Sequence, residues 1–337
     1  MPIARPRRAA PDATPPRILP AQLPGDHVHF PPVANGLDYL SSVVQHLQED
    51  QGQVDARALK YAVLHLAAGA EVLLKARLQF AHWSLVFANP GKAKKTDLAE
   101  GTLNSCTPAE ARERLVNIVE IPVSKRDAEA LENLAKARNA LQHYGLVGQA
   151  ANRVTVENLT AKVLHFLIEF LDEHLLPCLD EQDQDRAEQD LEPIREGLIT
   201  IRGYVEERLA SLAPQLGPHR ARTLQCPQCE SWALVVKRRG EDTELLDFFN
   251  VCCLLCETYR APDESALKYG MVILGRDPFS PDKDGLTASE MCPQCETRSL
   301  VRGAHLAAAP DMLADFCFDC AAVVSSPTPP PGSRPDR

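Results

Sequence analysis

Residues 55–87 read DARALKYAVLHLAAGAEVLLKARLQFAHWSLVF, and this stretch decides the fold. Leu59, Val63, Leu66, Ala67, Ala70, Leu73, Leu74 and Leu78 recur at helical spacing and form one apolar face. A helix this long must bury that face against neighbours, and the flanking sequence supplies them. NGLDYLSSVVQHLQED (35–50) predicts a helix before it, and the polar ANPGKAKKTDLAEGTLNSC (88–106) a loop after it. The next helix starts at Thr107-Pro108-Ala109-Glu110, where Thr107 can cap, Pro108 suits the first turn and Glu110 can complete a capping box. Ser124 and Asp127 give a weaker version of the same start. VENLTAKVLHFLIEFLDEHLL (156–176) and DLEPIREGLITIRGYVEERLASL (190–212) predict two more helices. Short connections and repeated stripes predict an antiparallel helical bundle over residues 33–215.

The texture changes after Leu216. WALVVKRR, ELLDFFNV, MVILG and RSLVRG read as short β pieces framed by cysteine pairs. Of the 11 cysteines, only Cys106 and Cys178 lie outside this region. Cys226-Pro-Gln-Cys229 and Cys253-Leu-Leu-Cys256 form one set; Cys292-Pro-Gln-Cys295 and Cys317-Phe-Asp-Cys320 form another. A C-x-x-C turn lets two thiolates converge on one tetrahedral ion, and two turns complete a closed site. Two structural zinc sites are therefore expected. A saturated four-thiolate site leaves no position for a water, so neither zinc is expected to be catalytic. The expected modules span 220–262 and 288–322, with a linker over 263–287, and both resemble zinc ribbons. Glu230 and Glu296 stand where ribbons often place glycine. Cys252 reads as a buried thiol, although a one-residue slip would exchange it with Cys253. Lys237-Arg238-Arg239 marks a hairpin tip that is either a basic contact or simply solvated.

The balance is acidic, with a net charge of −10, so a broad positive field for nucleic acid is not the default. No apolar run reaches the ~20 residues that a membrane span needs. No targeting segment is visible, and unpaired thiols in metal-type spacing predict a reducing, cytoplasmic setting. The Pro-rich segments 1–32 and 323–337 are expected to be disordered tails. His27 and His29 lack partner ligands, and His165 reads as bundle packing. No Ser-His-Asp order, nucleotide fingerprint or H-E-x-x-H motif occurs.

LAKARNALQHYGL (134–146) carries the chemistry. Arg138 falls on or beside the face of Leu131, Leu134 and Ala135. Asn139 and His143 are four apart and share a neighbouring strip, and Gly145 suits the helix C-terminal closure. In the structural reading, Arg138 snorkels or pairs with Glu71 and His143 interacts with the helix terminus. The Arg-Asn-x3-His motif, with Glu71 ahead of a Leu-Leu-Lys run, also resembles the HEPN family of α-helical domains over roughly residues 33–180.

That resemblance implies a metal-independent endoribonuclease that dimerises and builds one site from two copies of the motif. His143 would move protons at the ribose 2′-OH or the leaving 5′-oxygen, and Arg138 would stabilise the phosphorane charge. Asn139 would orient His143 or the phosphate, and Glu71 would position Arg138. A 2′,3′-cyclic phosphate end would follow. Lys92, Lys94 and Lys95 are candidate substrate contacts or a solvated loop. A toxin, an antiviral defence effector and an RNA-processing factor all fit, with a regulatory protein partner. The competing readings are a non-catalytic HEPN and zinc-ribbon adaptor for RNA, nucleotide or protein, and ribbons that engage a transcription or translation machine while the bundle dimerises.

Overall fold

The computed structural model describes residues 30–48, 54–238 and 250–324. It is mainly helical, with small antiparallel sheets near the C-terminus that contain two four-cysteine clusters. The described residues form two compact units that divide between Glu207 and Arg208.

In the first unit, α1 (Pro32–Leu47) lies along α2 (Ala56–Ala81). Asp55 caps α2 by accepting the Ala58 N–H at 2.7 Å, which answers one of the free donors of the first turn. Its stripe is buried as expected, with Leu66, Leu73 and Leu78 fully enclosed. The helix stops sooner than the sequence suggests. His82 turns extended, Trp83–Val86 form a 3-10 turn, and Phe87 bridges Ser105. Arg114 fixes that departure by donating to the carbonyls of Leu85, Phe87 and Ala88 at 2.6, 2.6 and 3.1 Å. Within the expected loop 88–106 lies a short helix, α3 (Lys95–Ala99).

The expected capping box opens α4 (Pro108–Asn117): Thr107 accepts the Glu110 N–H at 3.2 Å, and Glu110 accepts the Thr107 N–H at 2.7 Å. Ser124 caps α5 (Lys125–His143), and Asn152 caps α6 (Arg153–Phe170), which runs into a π turn over Leu171–Leu175. The helix read over 190–212 is two helices. One is α7 (Glu181–Leu198), nine residues longer at its start; the other is α8 (Arg202–Leu216). Thr200 breaks the run: its N–H and hydroxyl both return to the Gly197 carbonyl, at 3.1 and 2.7 Å. Gly197 also lets α7 approach α1, since a Cβ there would overlap Val44. Helix α2 is central, packing against α1, α4, α5 and α6 around one core.

In the second unit, β1 (Thr223–Leu224), β2 (Leu234–Val236), β3 (Val251–Cys253) and β4 (Tyr259–Arg260) form an antiparallel sheet in chain order. Then comes α9 (Pro262–Val272), where a linker was expected. MVILG is not a strand. Its Met271 and Val272 end this helix, which inserts a fully buried Tyr269 against Phe318. A hairpin of β5 (Leu300–Leu306) and β6 (Ala309–Cys317) follows, with Gly303 at a left-handed φ of 63° beside a register shift. The two cysteine-bearing halves are one unit. Ala307 N–H donates to Thr223 O at 2.8 Å, and Ala308 N–H to Arg220 O at 3.0 Å.

Residues 1–29 and 325–337 of the expected tails, His27, His29, Arg239 and most of ELLDFFNV lie outside the described residues.

Candidate functional site

Each cysteine pair occupies a tight knuckle, and all four knuckles close alike. The N–H of Cys226, Cys253, Cys292 and Cys317 donates to the carbonyl five residues on, at 2.8–3.0 Å. The residue after each second cysteine is left-handed: Glu230, Glu257, Glu296 and Ala321, at φ 56°, 54°, 58° and 54°. The knuckle therefore keeps its glycine-type conformation without glycine.

These turns bring Cys226, Cys229, Cys253 and Cys256 together, and likewise Cys292, Cys295, Cys317 and Cys320. Sulfur separations are 3.8 Å (Cys226–Cys256), 3.7 Å (Cys229–Cys253), 3.9 Å (Cys292–Cys320) and 3.6 Å (Cys295–Cys317). Four thiolates around a tetrahedral ion at about 2.3 Å would be about 3.8 Å apart. Both clusters thus have the dimensions of a closed four-thiolate metal site.

Cys252 is not part of either cluster. In β3 it pairs with Val235 and Tyr259, and burial pushes its thiol up to about 11. Within the first cluster, hydrogen bonds from Cys229 and then Cys253 hold Cys226 down to about 7. The Cys226 bond pushes Cys229 and Cys253 up. In the second, burial pushes Cys317 and Cys320 up. A divalent cation removes that competition, because all four thiols can ionise against it with release of protons.

Sequence reasoning missed the hydroxyls beside the sulfurs. Thr258 Oγ1 lies 3.2 Å from Cys256 Sγ, and Thr297 Oγ1 lies 3.0 Å from Cys295 Sγ. Toward a thiolate the hydroxyl is the donor, which steadies the charge. The signal was the repeated Cys-Glu-Thr at 256–258 and 295–297.

The second candidate site is at the end of α5. Ala130, Leu134 and Ala137 are its buried stripe, and Arg138 borders that stripe half-buried. Asn139 and His143 are exposed. Arg138 Nη1 donates to Asn139 Oδ1 at 3.0 Å, so Asn139 orients the arginine. The His143 ring lies 6.1 Å from that of Tyr144. Gly145 closes the helix as expected, with φ 109° and its N–H on Ala140 O at 2.6 Å. Glu71 is elsewhere engaged: its carboxylate takes Lys75 at 2.5 Å, and Lys75 also donates to Ser105 at 2.9 Å. Lys95 lies over the Trp83 ring at 5.8 Å. Lys237 extends the β2–β3 ladder by donating its N–H to Asn250 O at 2.7 Å, and Arg238 is exposed.

No family model matches the chain, and neither a curated protein nor a solved structure matches it. Among the described residues, no helix is long and apolar enough to cross a membrane.

Proposed function

We propose that the helical unit is an HEPN-type, metal-independent endoribonuclease and that the cysteine clusters hold two structural zinc ions. One observation carries the enzymatic reading: at the end of α5 Arg138 is oriented by its bond to Asn139, which shares a strip of the helix with His143, whose imidazole is open to solvent. In this reading His143 transfers the proton of the 2′-OH or of the leaving oxygen. Arg138 binds the phosphate as its charge grows. Tyr144, beside His143, and Val147 and Val154, which follow in the chain, are 87%, 79% and 60% exposed, and a second copy of the chain would cover them. A homodimer would then supply two histidines and two arginines to one cleft. Glu71, held by Lys75, acts on Arg138 only if dimerisation rearranges that pair.

Zinc fits both clusters because four thiolates and tetrahedral separations suit a soft, borderline d¹⁰ ion. Eleven unbridged cysteines support a reducing, cytoplasmic setting. A toxin, defence or RNA-processing role and a regulatory partner belong to the same reading. The alternative is a non-catalytic adaptor that binds RNA or protein, and the net charge of −10 favours its protein-binding form.

The test compares wild type with His143→Ala on mixed tRNA and messenger RNA, without magnesium and with zinc in place, and maps the ends. The expected result is cyclic-phosphate ends and a loss of about 10²-fold or more in the variant. Equal behaviour of two folded, zinc-loaded proteins would leave the adaptor reading standing.

A further inference from the structure

We propose that the outer face of α1 and α2 is a docking surface for single-stranded RNA, separate from the Arg138 strip. It rests on the reading of the bundle as an RNA-cleaving unit. Four half-buried rings form a ladder between the two helices. His46 stacks on Tyr61 at 5.7 Å and 24°, His46 is 5.5 Å from His65, and Tyr39 is 6.0 Å from His65. Ser42 Oγ fixes the His65 ring through Nδ1 at 2.9 Å. Arg57 and Lys60, both exposed, extend over the Tyr61 ring at 5.7 and 5.6 Å.

Lys75, Lys136, Arg153, Arg186, Arg195 and Arg202 each pair with a carboxylate. Arg57 and Lys60 have no carboxylate partner among the described residues; their interactions are with the Tyr61 ring. Lys92, Lys94, Lys95 and Lys162 likewise make no ion pair among the described residues, so what distinguishes the α1–α2 face is two cations beside a stack of four rings. Asp55 is occupied as the α2 cap. Asp38 is the acid near His65. The apolar core is closed beneath the rings by Leu40, Val43 and Leu66. Cations beside stacked rings suit a strand whose phosphates and unstacked bases are both available. A duplex offers the phosphates alone.

The experiment measures binding of a fluorescein-labelled, fully 2′-O-methylated RNA oligonucleotide by anisotropy across a salt series. That modification blocks cleavage, so binding is read by itself. Arg57→Glu/Lys60→Glu is expected to weaken binding at least about ten-fold and to flatten the salt slope by about 1.4, the value for two lost phosphate contacts. Tyr61→Leu is expected to weaken binding about five-fold with the salt slope kept. Melting curves establish that each variant is folded.

The inference is overturned if wild type fails to bind, or if folded variants bind as wild type does. Competition by polyglutamate equal to that by unlabelled RNA also overturns it, since the surface would then take acidic proteins. Arg57-dependent binding without cleavage of natural RNA by wild type would remove the enzyme and keep the surface. Cleavage that needs His143, with binding indifferent to Arg57 and Lys60, would do the reverse.

Discussion

Glu230 and Glu296 hold a backbone conformation that costs an L-residue about 1–2 kcal/mol, with no side-chain bond in return among the described residues. Replacing either by glycine removes that strain while adding freedom to the unfolded chain. The expected net gain is about 0.5 kcal/mol each, read from denaturant midpoints at saturating zinc. A loss of stability at both positions would show that the glutamates contribute more than their backbone costs. His65 makes a second residue-scale prediction. Burial, and after it the charge of His46, lowers its pKa below the ordinary 6.5, with Asp38 opposing. The unfolded chain therefore binds the proton more readily. The contribution of neutral His65 is whole above about pH 6.5 and is lost as pH falls through the lower folded value. Urea midpoints should drop between pH 7.5 and 5.5, and by less in His65→Gln. Equal drops would assign the effect to other groups, such as His174, which burial also lowers.

At the scale of elements, the long helices were legible because their apolar stripes run through many turns and their caps are explicit. Thr107, Ser124 and the 59–78 stripe all behave as read. Interruptions were harder to see. The stop at His82 and the break at 199–201 come from bonds made by Arg114 and Thr200, which periodicity does not record. Helix α9 was missed because MVILG is too short to separate the two periods. Its start was nonetheless written in Pro262, Asp263 and Glu264. The cysteine clusters followed from spacing alone, whereas the threonines at the sulfurs needed the fold. Gly270 shows how tightly α9 is seated: a Cβ there would overlap the Ala288 carbonyl, which is backbone and cannot swing aside. Gly270→Ala is expected to cost about 1–3 kcal/mol, measured by chemical unfolding. A smaller cost would mean that the 286–289 segment yields.

For the whole molecule, the two units differ in what holds them. The helical unit has a continuous apolar core, whereas the second cluster is enclosed chiefly by Leu300 and Val324 around its own sulfurs. Structural zinc contributes on the order of 10 kcal/mol to domains of this kind. A strong chelator should therefore unfold residues 208–324 and leave most far-UV helicity intact. Because Ala307 and Ala308 bond back to Thr223 and Arg220, both ions are expected to leave in one step. Two separated release phases, followed with a chromogenic chelator, would mean that the halves are independent. Strand β3 adds a last consequence. Val251-Cys252-Cys253 is too short and too uniform to choose its own alignment, since either thiol could face the ion after a one-residue slip. Cys252→Ser should leave the zinc content unchanged, whereas Cys253→Ser should recruit Cys252 and keep part of it. The strand can be read in two frames, and a bound zinc ion would proofread which one the chain keeps.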